Sequence, residues 1–189
     1  MGGDNAPDMV IEGIEASLAH LSQAKFLVFG DKARLSPLLE KPPLAAAASE
    51  IRHTDEAITT DQKVSTALRA GRNSSMRLAI DAVGSGEAAG VISAGNTGAL
   101  MAMAKFVLKT LPGIDRPAIA AYYPTQRGQS VMLDLGANVD CDADNLVQFA
   151  VMGEVFARNV LGRENPSIGI LNVGAENLKG TEAVKKASM

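Results

Sequence analysis

The stretch GVISAGNTGALMA, residues 90–102, indicates the class of the fold. An apolar run leads into a short turn of small and polar residues, and an Ala/Met-rich segment of helical character follows. A strand that ends in such a turn and feeds a helix points backbone N–H groups and the positive end of the helix dipole at one spot. The stretch therefore predicts a strand–helix unit with an anion site at its turn. A plain connection between the two elements is the alternative.

The same alternation continues along the chain. Short apolar runs predict strands at 26–31, 89–93, 117–123, 130–135 and 167–173. Helical periodicity predicts helices over 7–21, 33–39, two within 60–83, then 97–110 and 144–161, and one after Gly180. Strands that alternate with helices are typical of a largely parallel sheet. We expect a single layered α/β domain over residues 1–189, with 40–50 as a surface connection.

The composition argues against several classes of protein. The chain has 189 residues, of which 47% are hydrophobic and 21% charged, with a net charge of -3. These values do not fit a disordered chain or a general nucleic-acid binder, so any anion site must be local. Cys141 has no second cysteine to pair with, which favours the cytoplasm. We find no apolar run near the roughly 18 residues of a membrane span and no signal peptide. Because Trp is absent, we expect an aliphatic core.

Three predicted strands end in turns that carry glycine and asparagine. They are SAGNTG at 93–98, DLGANVD at 134–140 and NVGAEN at 172–177. Ligands of parallel α/β sheets bind beyond the carboxyl ends of the strands. We therefore expect the three turns to converge on one site.

The first of these turns offers the strongest candidates for binding an anion. Gly95 and Gly98 let the backbone approach a ligand, and Ser93, Asn96 and Thr97 offer short hydrogen-bonding side chains. Asn96 or Thr97 could equally cap the helix that follows. The turn has neither the Gly-Lys-Ser/Thr of a Walker A loop nor the spacing of a dinucleotide fingerprint.

Four basic residues lie near the predicted turns: Arg77, Lys105, Arg116 and Lys179. Each could be a solvated surface charge. Lys179 comes directly before Gly180 in a predicted loop, and we expect it to be the one that faces an anion.

Other reactive residues favour structural roles. The run VDCDADN spaces three aspartates as a calcium loop does, but Asn145 and Val151 replace the glycine and glutamate of that loop. Carboxylates that stabilise the start of the next helix are the preferred interpretation. Cys141 has no histidine near it in sequence and His20 lies on a predicted helix, so neither supports a hydrolase triad. The placement of His53 stays open. We predict neither a bound metal nor a cofactor.

Seven motifs together carry a resemblance to one family: MGGDNAPD, SSMR, SAGNTGALMA, GIDRPAIA, LDLGANVDC, VQFAVMG and LNVGAENLKG. In their order and spacing the chain resembles the bacterial phosphate acyltransferases of phospholipid synthesis, the PlsX family. The resemblance implies a three-layer α/β/α Rossmann-like sandwich, similar to that of the isocitrate and isopropylmalate dehydrogenases. It also implies that residues 1–189 are an N-terminal portion of a longer chain. The turn GAEN at 174–177 is less acidic than in relatives.

The resemblance also implies a reaction and its partners. The family moves a fatty acyl group from acyl-acyl carrier protein to inorganic phosphate, and it works as a homodimer. A membrane glycerol-3-phosphate acyltransferase uses the acyl phosphate product. In members of the family, the C-terminal part of the chain carries the surface that associates with the membrane. Two other functions remain as alternatives to acyl transfer. One is a dehydrogenase or phosphotransacetylase that acts on small acids or acyl-CoA, and the other is a non-catalytic module that binds a phosphate ligand.

The implied chemistry needs no protein nucleophile. Phosphate is already anionic, and a thiolate whose conjugate acid has a pKa of about 8.5 leaves without much help. The protein must position two reactants and donate hydrogen bonds to the oxyanion that forms.

We assign a hypothetical role to each of the three turns. The catalytic candidates are Asn96, Lys179, Asn138 and Asn172. The candidates for substrate binding are Ser93, Gly95, Thr97, Gly98, Asp4, Gly136 and Gly174. The first turn would hold phosphate with Lys179 as its charge partner, and the other two asparagines would donate to the thioester or hold neighbouring loops. Asp4 and Asp134 carry the wrong charge for phosphate, so they would orient a lysine or a backbone turn.

Overall fold

A computed structural model describes residues 1–174, 176 and 179–189. The chain divides into two compact units, Met1–Lys109 and Thr110–Met189. The sequence analysis predicts a single domain over all 189 residues, and the single domain stays a prediction.

The first unit has α/β architecture with a parallel pair of strands. Its elements are α1 (Asp8–Leu18), β1 (Phe26–Gly30), α2 (Lys32–Leu39), α3 (Pro43–Ala48), β2 (Ser49–His53), α4 (Val64–Ala70), α5 (Ser75–Gly84) and α6 (Thr97–Leu108). β1 and β2 pair in register from Phe26 with Ser49 to Gly30 with His53. The helices α2 and α3 form the crossover that a parallel pair requires. The α/β class is therefore confirmed.

Two clusters of buried aliphatic side chains hold this unit together. In the first, α1 places Ile11, Ile14 and Leu18 on one face, as helical spacing predicts, against Val28 of β1. The second cluster joins α4, α5 and α6 and consists of Ile58, Ala67, Met76, Ile80, Ala99 and Met103. No aromatic residue is among the buried members of either cluster, which agrees with the expected aliphatic core.

The second unit holds an antiparallel hairpin and two helices. Its elements are β3 (Ala121–Thr125), β4 (Gly128–Met132), α7 (Ala143–Leu161) and α8 (Glu182–Ala187). The prediction of a largely parallel sheet is wrong for β3 and β4. Only residues 126–127 connect them, and a parallel pair needs a crossover of a dozen or more residues.

Several element boundaries also differ from the predictions. Segments 89–93 and 167–173 have no ladder partner among the described residues, so neither is a strand in this structure. Ile92, Leu171 and Val173 remain exposed there. In contrast, α3 and β2 occupy a stretch that the sequence analysis treated mostly as connection. An apolar run becomes a strand only where another strand accepts its backbone hydrogen bonds, and periodicity does not report that partner.

Candidate functional site

The SAGNTG turn begins α6, and Asn96 caps the helix. The Asn96 side-chain oxygen accepts a hydrogen bond from the Ala99 amide at 2.9 Å. At the start of the same turn, the Ser93 hydroxyl accepts a hydrogen bond from the Gly95 amide at 3.2 Å. The capping alternative is therefore confirmed for Asn96.

Asn96 also fastens a distant loop to the start of α6. Its side-chain nitrogen donates to the carbonyls of Gln62 at 2.9 Å and Thr60 at 3.0 Å, with Thr59 at 3.4 Å. A carboxamide has one acceptor oxygen and two N–H donors, so both polar atoms of this side chain are engaged. Sequence reasoning missed this contact because it spans more than 30 residues and has no local signal.

The glycines of the N-terminal MGGD motif pack against the same turn. A Cβ on Gly3 would lie 3.0 Å from the carbonyl oxygen of Ala94, and one on Gly95 would lie 3.2 Å from that of Gly2. Two backbones can approach this closely only where side chains are absent. Asp4 directly follows this contact and is exposed. The structure thus brings two of the motifs, MGGD and SAGNTG, together.

The first turn of α6 presents backbone donors. The amides of Thr97 and Gly98 have no acceptor in the part of the chain that the structure describes, and both residues are exposed. α6 has 12 residues, so its dipole adds positive potential at this end. Gly98 also touches α4, because a Cβ there would lie 2.9 Å from a methyl of Val64. The arrangement can accept an anion at the two amides.

The second turn is held by Asp134 and Asn138. The Asp134 carboxylate accepts from the Ile119 amide at 2.8 Å and from the Asn138 amide at 2.7 Å. The Asn138 side chain donates to the Pro117 carbonyl at 2.9 Å and to the same carboxylate at 3.1 Å. Gly136 has φ +86°, a conformation that favours glycine. The expectation that Asp134 orients a backbone turn is confirmed.

The charge of Asp134 follows from these bonds. Burial raises the pKa of its carboxyl, but hydrogen bonds from Ile119 and Asn138 outweigh burial and hold the pKa below its ordinary value. The carboxylate therefore stays ionised at neutral pH and remains a poor contact for phosphate.

The residues after this turn have structural roles. Burial, and then the charge of Asp134, raises the pKa of the Cys141 thiol, although Arg116 opposes the shift. A protonated thiol is a weak nucleophile. Asp142 and Asn145 form a capping box at the start of α7, with 2.8 Å from the Asn145 amide to the Asp142 carboxylate. The preferred reading of this run, carboxylates that stabilise the helix start, is confirmed for Asp142.

The third turn joins Asn172 to the segment that carries Lys179. The Asn172 side chain donates to the Lys179 carbonyl at 3.3 Å and accepts from the Val173 amide at 2.8 Å. A Cβ on Gly174 would lie 3.1 Å from the Lys179 side chain, which is close contact. Lys179 itself is exposed. Ala175, Asn177 and Leu178 of the predicted turn region lie outside the described residues.

The second turn and the run that leads to the third line one cleft of about 1030 Å³. Asp134, Gly136 and Asn138 line it from one turn, and Leu171 lines it directly before Asn172. The first turn belongs to the other compact unit. Convergence of all three turns therefore stays a prediction.

Two of the basic candidates have partners within the fold. The Arg77 guanidinium pairs with Asp81 at 2.9 Å and lies over the Phe106 ring. Arg116 donates to the Asp140 carbonyl at 3.0 Å. Lys105 lies in the last turn of α6, far along the helix from its N-terminus. Lys179 therefore remains the preferred candidate among the four.

His53, whose placement the sequence left open, ends β2 in a polar cluster. Ligand atoms of Asp31, His53 and Asp55 lie within 4.8 Å of one another. The imidazole accepts from the Lys32 amide at 3.2 Å, and the Asp31 carboxylate caps α2 by accepting from Ala33. Both groups thus already hold the start of α2.

Comparison with known proteins identifies the family. Residues 1–189 match the family described as "Fatty acid synthesis protein" over their whole length. The chain belongs to this family. It is 63% identical over 188 residues to a phosphate acyltransferase of Rhodospirillum centenum, 59% to one of Paramagnetospirillum magneticum and 57% to one of Rhodospirillum rubrum. Each alignment covers 100% of this chain and 53% or 54% of the relative, so the chain spans about half the length of these curated relatives.

Family membership agrees with the resemblance drawn from the seven motifs. Within the described residues, no helix combines the length and the apolar character needed to cross a bilayer.

Proposed function

We propose that this fatty acid synthesis family member is part of a phosphate acyltransferase. It would move a fatty acyl group from acyl-acyl carrier protein to inorganic phosphate and release acyl phosphate. The observation that carries the proposal is the start of α6, where Thr97 and Gly98, whose amides are free among the described residues, are exposed. In the turn just before this helix, the Ser93 hydroxyl accepts a hydrogen bond from the Gly95 amide. The names of the relatives at 57–63% identity support the same reaction.

The reaction is a direct attack of phosphate on the thioester. A phosphate oxygen forms a bond to the carbonyl carbon, and the carbonyl oxygen becomes an oxyanion. The carbon–sulfur bond then breaks, and the carrier thiolate leaves and takes a proton from water. The raised pKa of the Cys141 thiol makes a covalent route through that residue unfavourable. The protein contributes position and hydrogen-bond donors.

In this proposal the first turn binds phosphate. The Ser93 and Thr97 hydroxyls and the Thr97 and Gly98 amides donate to the anion, and Gly95 lets the backbones meet. Asn96 is a positioning residue, because its carboxamide is engaged by Ala99 and by the 59–62 loop. Asp4 orients the adjoining MGGD backbone.

The other two turns hold the thioester and complete the charge balance. The side chains of Asn138 and Asn172 hold their loops by donating to the carbonyls of Pro117 and Lys179, with Gly136 and Gly174 in the same turns. The Lys179 ammonium is the charge partner of phosphate. We infer a three-layer α/β/α sandwich for the whole protein, as in the isocitrate and isopropylmalate dehydrogenases.

The wider setting of the reaction rests on the resemblance. It includes assembly as a homodimer in the cytoplasm, peripheral association with the membrane and transfer of acyl phosphate to a membrane glycerol-3-phosphate acyltransferase. The proposal needs no metal, cofactor or nucleic acid.

Phosphate-dependent thiol release from acyl-acyl carrier protein tests the function. The protein expressed from its whole reading frame is assayed as wild type, Asn96→Ala and Lys179→Ala. We expect each substitution to slow thiol release by about tenfold or more, which is roughly 1.4 kcal/mol of transition-state stabilisation. Lys186→Ala, which removes another exposed lysine on α8, is the matched control and should leave the rate unchanged.

Two outcomes would overturn the proposal. Wild-type rates in both Asn96→Ala and Lys179→Ala would remove these residues from the site. Faster thiol release from acetyl-CoA than from long-chain acyl carrier protein would favour a phosphotransacetylase instead.

A further inference from the structure

The cleft of the second unit is lined by both β4 and α7. Every residue from Gln129 to Leu133 contributes to its wall. Successive side chains of a strand point to opposite faces, so a cleft that meets each residue in turn borders the edge of the strand. β4 pairs only with β3 among the described residues, which leaves its other edge open. The cleft therefore runs along a free strand edge.

This free edge presents backbone hydrogen-bonding groups. Thr125 and Gly128 pair at the two-residue loop that closes the hairpin, and Pro124, which has no N–H, stands opposite Gln129. Hydrogen-bonded pairs alternate along an antiparallel ladder, so Gln129 and Val131 turn their N–H and C=O groups away from β3. Such an edge can pair with an extended chain that carries amide groups.

Two close contacts fix the length of this stretch. A Cβ on Gly153 would lie 3.2 Å from the Leu133 side chain. A Cβ on Gly128 would lie 3.5 Å from the Arg163 guanidinium. Gly128 and Leu133 are five residues apart in extended chain, about 16 Å. Gly153 and Arg163 are ten residues apart along the helix, about 15 Å, so the end of α7 runs antiparallel beside β4.

Two arginines stand where this stretch ends. Arg127 lies in the hairpin loop, and its amide donates to the Thr125 hydroxyl at 3.3 Å. Arg163 follows the left-handed Gly162 that ends α7, and its amide donates to the Ala157 carbonyl at 3.1 Å. Both arginines are exposed and line the cleft, and neither guanidinium has an ion pair or hydrogen bond in the part of the chain that the structure describes. Two unpaired positive charges at one end of a cleft favour an anionic group.

The acidic side chains of the cleft do not cancel these charges. Glu154 pairs with Arg158 at 3.1 Å. Asp134 lies in the second turn, beyond Leu133, where backbone amides hold its carboxylate. Among the lining residues only Glu164 adjoins an arginine, so this end of the cleft keeps more positive than negative charge.

We propose that this cleft binds the phosphopantetheine arm of the acyl carrier, with its phosphodiester on Arg127 and Arg163 and its thioester toward the turn at 134–138. The proposal rests on the proposed function, which supplies a carrier thioester as the substrate. The arm has about thirteen bonds between phosphorus and sulfur, comparable with about four residues of extended chain, or about 15 Å. That length matches the stretch from the arginines to Leu133. The two amide groups of the arm pair with the free edge of β4.

This anion site is separate from the start of α6. The turn at 93–98 would hold the inorganic phosphate that reacts, whereas the two arginines hold a phosphodiester that stays intact. Arg127 and Arg163 are therefore binding residues, and their loss should weaken the carrier substrate without affecting inorganic phosphate.

Steady-state kinetics of thiol release test the arginines in the protein expressed from its whole reading frame. The double variant Arg127→Gln with Arg163→Gln should raise KM for acyl-acyl carrier protein by about tenfold or more, since two charge-assisted contacts are lost. The kcat and the KM for inorganic phosphate should stay unchanged. Arg158→Gln removes an exposed arginine that does not line the cleft, and as the matched control it should leave all three constants unchanged.

Free compounds separate the arm from the carrier protein. In calorimetry, we expect the wild type to bind phosphopantetheine at least about tenfold more tightly than pantetheine, and the double variant to bind the two equally. Glu164→Gln should tighten the binding of phosphopantetheine, because it removes the opposing charge. Hydrogen exchange of a peptide that spans β4 should slow when phosphopantetheine binds.

Two results would overturn the proposal. One is equal binding of phosphopantetheine and pantetheine by the wild type, as expected if other parts of the chain fill the cleft. The other is a double variant that raises KM for the carrier but binds free phosphopantetheine as the wild type does, which would place the arginines against the carrier protein surface. Wild type that binds phosphopantetheine through the arginines but releases no thiol would support the cleft and contradict the proposed function.

Discussion

Asn96 shows how one residue type can serve two purposes that sequence does not separate. An asparagine before a helix can cap it or contact a ligand, and both uses need the same short carboxamide. In the structure the oxygen caps α6 and the nitrogen holds the carbonyls of Thr60 and Gln62. The exposed amides of Thr97 and Gly98 are thereby left as the donors for an anion.

Asn96→Asp separates the two halves of this role. The carboxylate keeps an oxygen for the Ala99 amide, but it cannot donate to the 59–62 loop. We expect a loss of about 1–3 kcal/mol in the free energy of unfolding, from two lost hydrogen bonds of about 0.5–1.5 kcal/mol each. Amides near 59–63 should exchange faster with deuterium while those of α6 keep their protection. Asn165→Asp, in an exposed loop, is the control for the added charge. Unchanged exchange at 59–63 would contradict the assignment.

At the scale of elements, the start of α7 shows helix capping where spacing alone also suggested calcium. Asp142 and Asn145 accept hydrogen bonds from each other's amides, which satisfies donors that the first helical turn leaves open. The sequence alone favoured capping over calcium binding, because Asn145 and Val151 occupy the positions where a calcium loop has its glycine and its glutamate.

Asp142→Ala should therefore destabilise the fold whether or not calcium is present. Loss of an N-cap side chain costs about 0.5–2 kcal/mol, and urea denaturation measures it. Asp140→Ala is the matched control, because the Asp140 side chain takes no part in the cap. Millimolar calcium should leave the midpoints of all three proteins unchanged. A calcium-dependent rise in the wild type that Asp142→Ala abolishes would instead support a metal site.

At the scale of the molecule, burial is uneven between the two compact units. Of the 17 buried apolar side chains among the described residues, 14 lie in Met1–Lys109 and three in Thr110–Met189. The residues of β3 are all exposed, whereas β1 buries Val28 and contacts α5. Segments with few buried contacts open locally at a lower free energy than well-buried ones. We therefore expect the second unit to have the lower local stability.

Hydrogen exchange of residues 1–189 should reveal this difference. We expect amides of β1, β2 and α5 to exchange at least about tenfold more slowly than those of β3 and β4, which corresponds to roughly 1.4 kcal/mol in opening free energy. Mass spectrometry of peptides from each segment measures the rates, with intrinsic exchange rates as the reference. Equal protection of the two strand pairs would contradict the expectation.

The sequence by itself determined the α/β class, most helices and the family, because periodicity, capping residues and ordered motifs are local properties of the chain. It also placed the anion candidates in the turn at 93–98. Only the tertiary structure decided that β3 and β4 are antiparallel, that Asn96 holds 59–62, and that Gly2 and Gly3 pack on the same turn. Each of these depends on a partner far away in the sequence or on the geometry of a connection. Periodicity reports which side of an element is apolar, and it does not report what lies against that side.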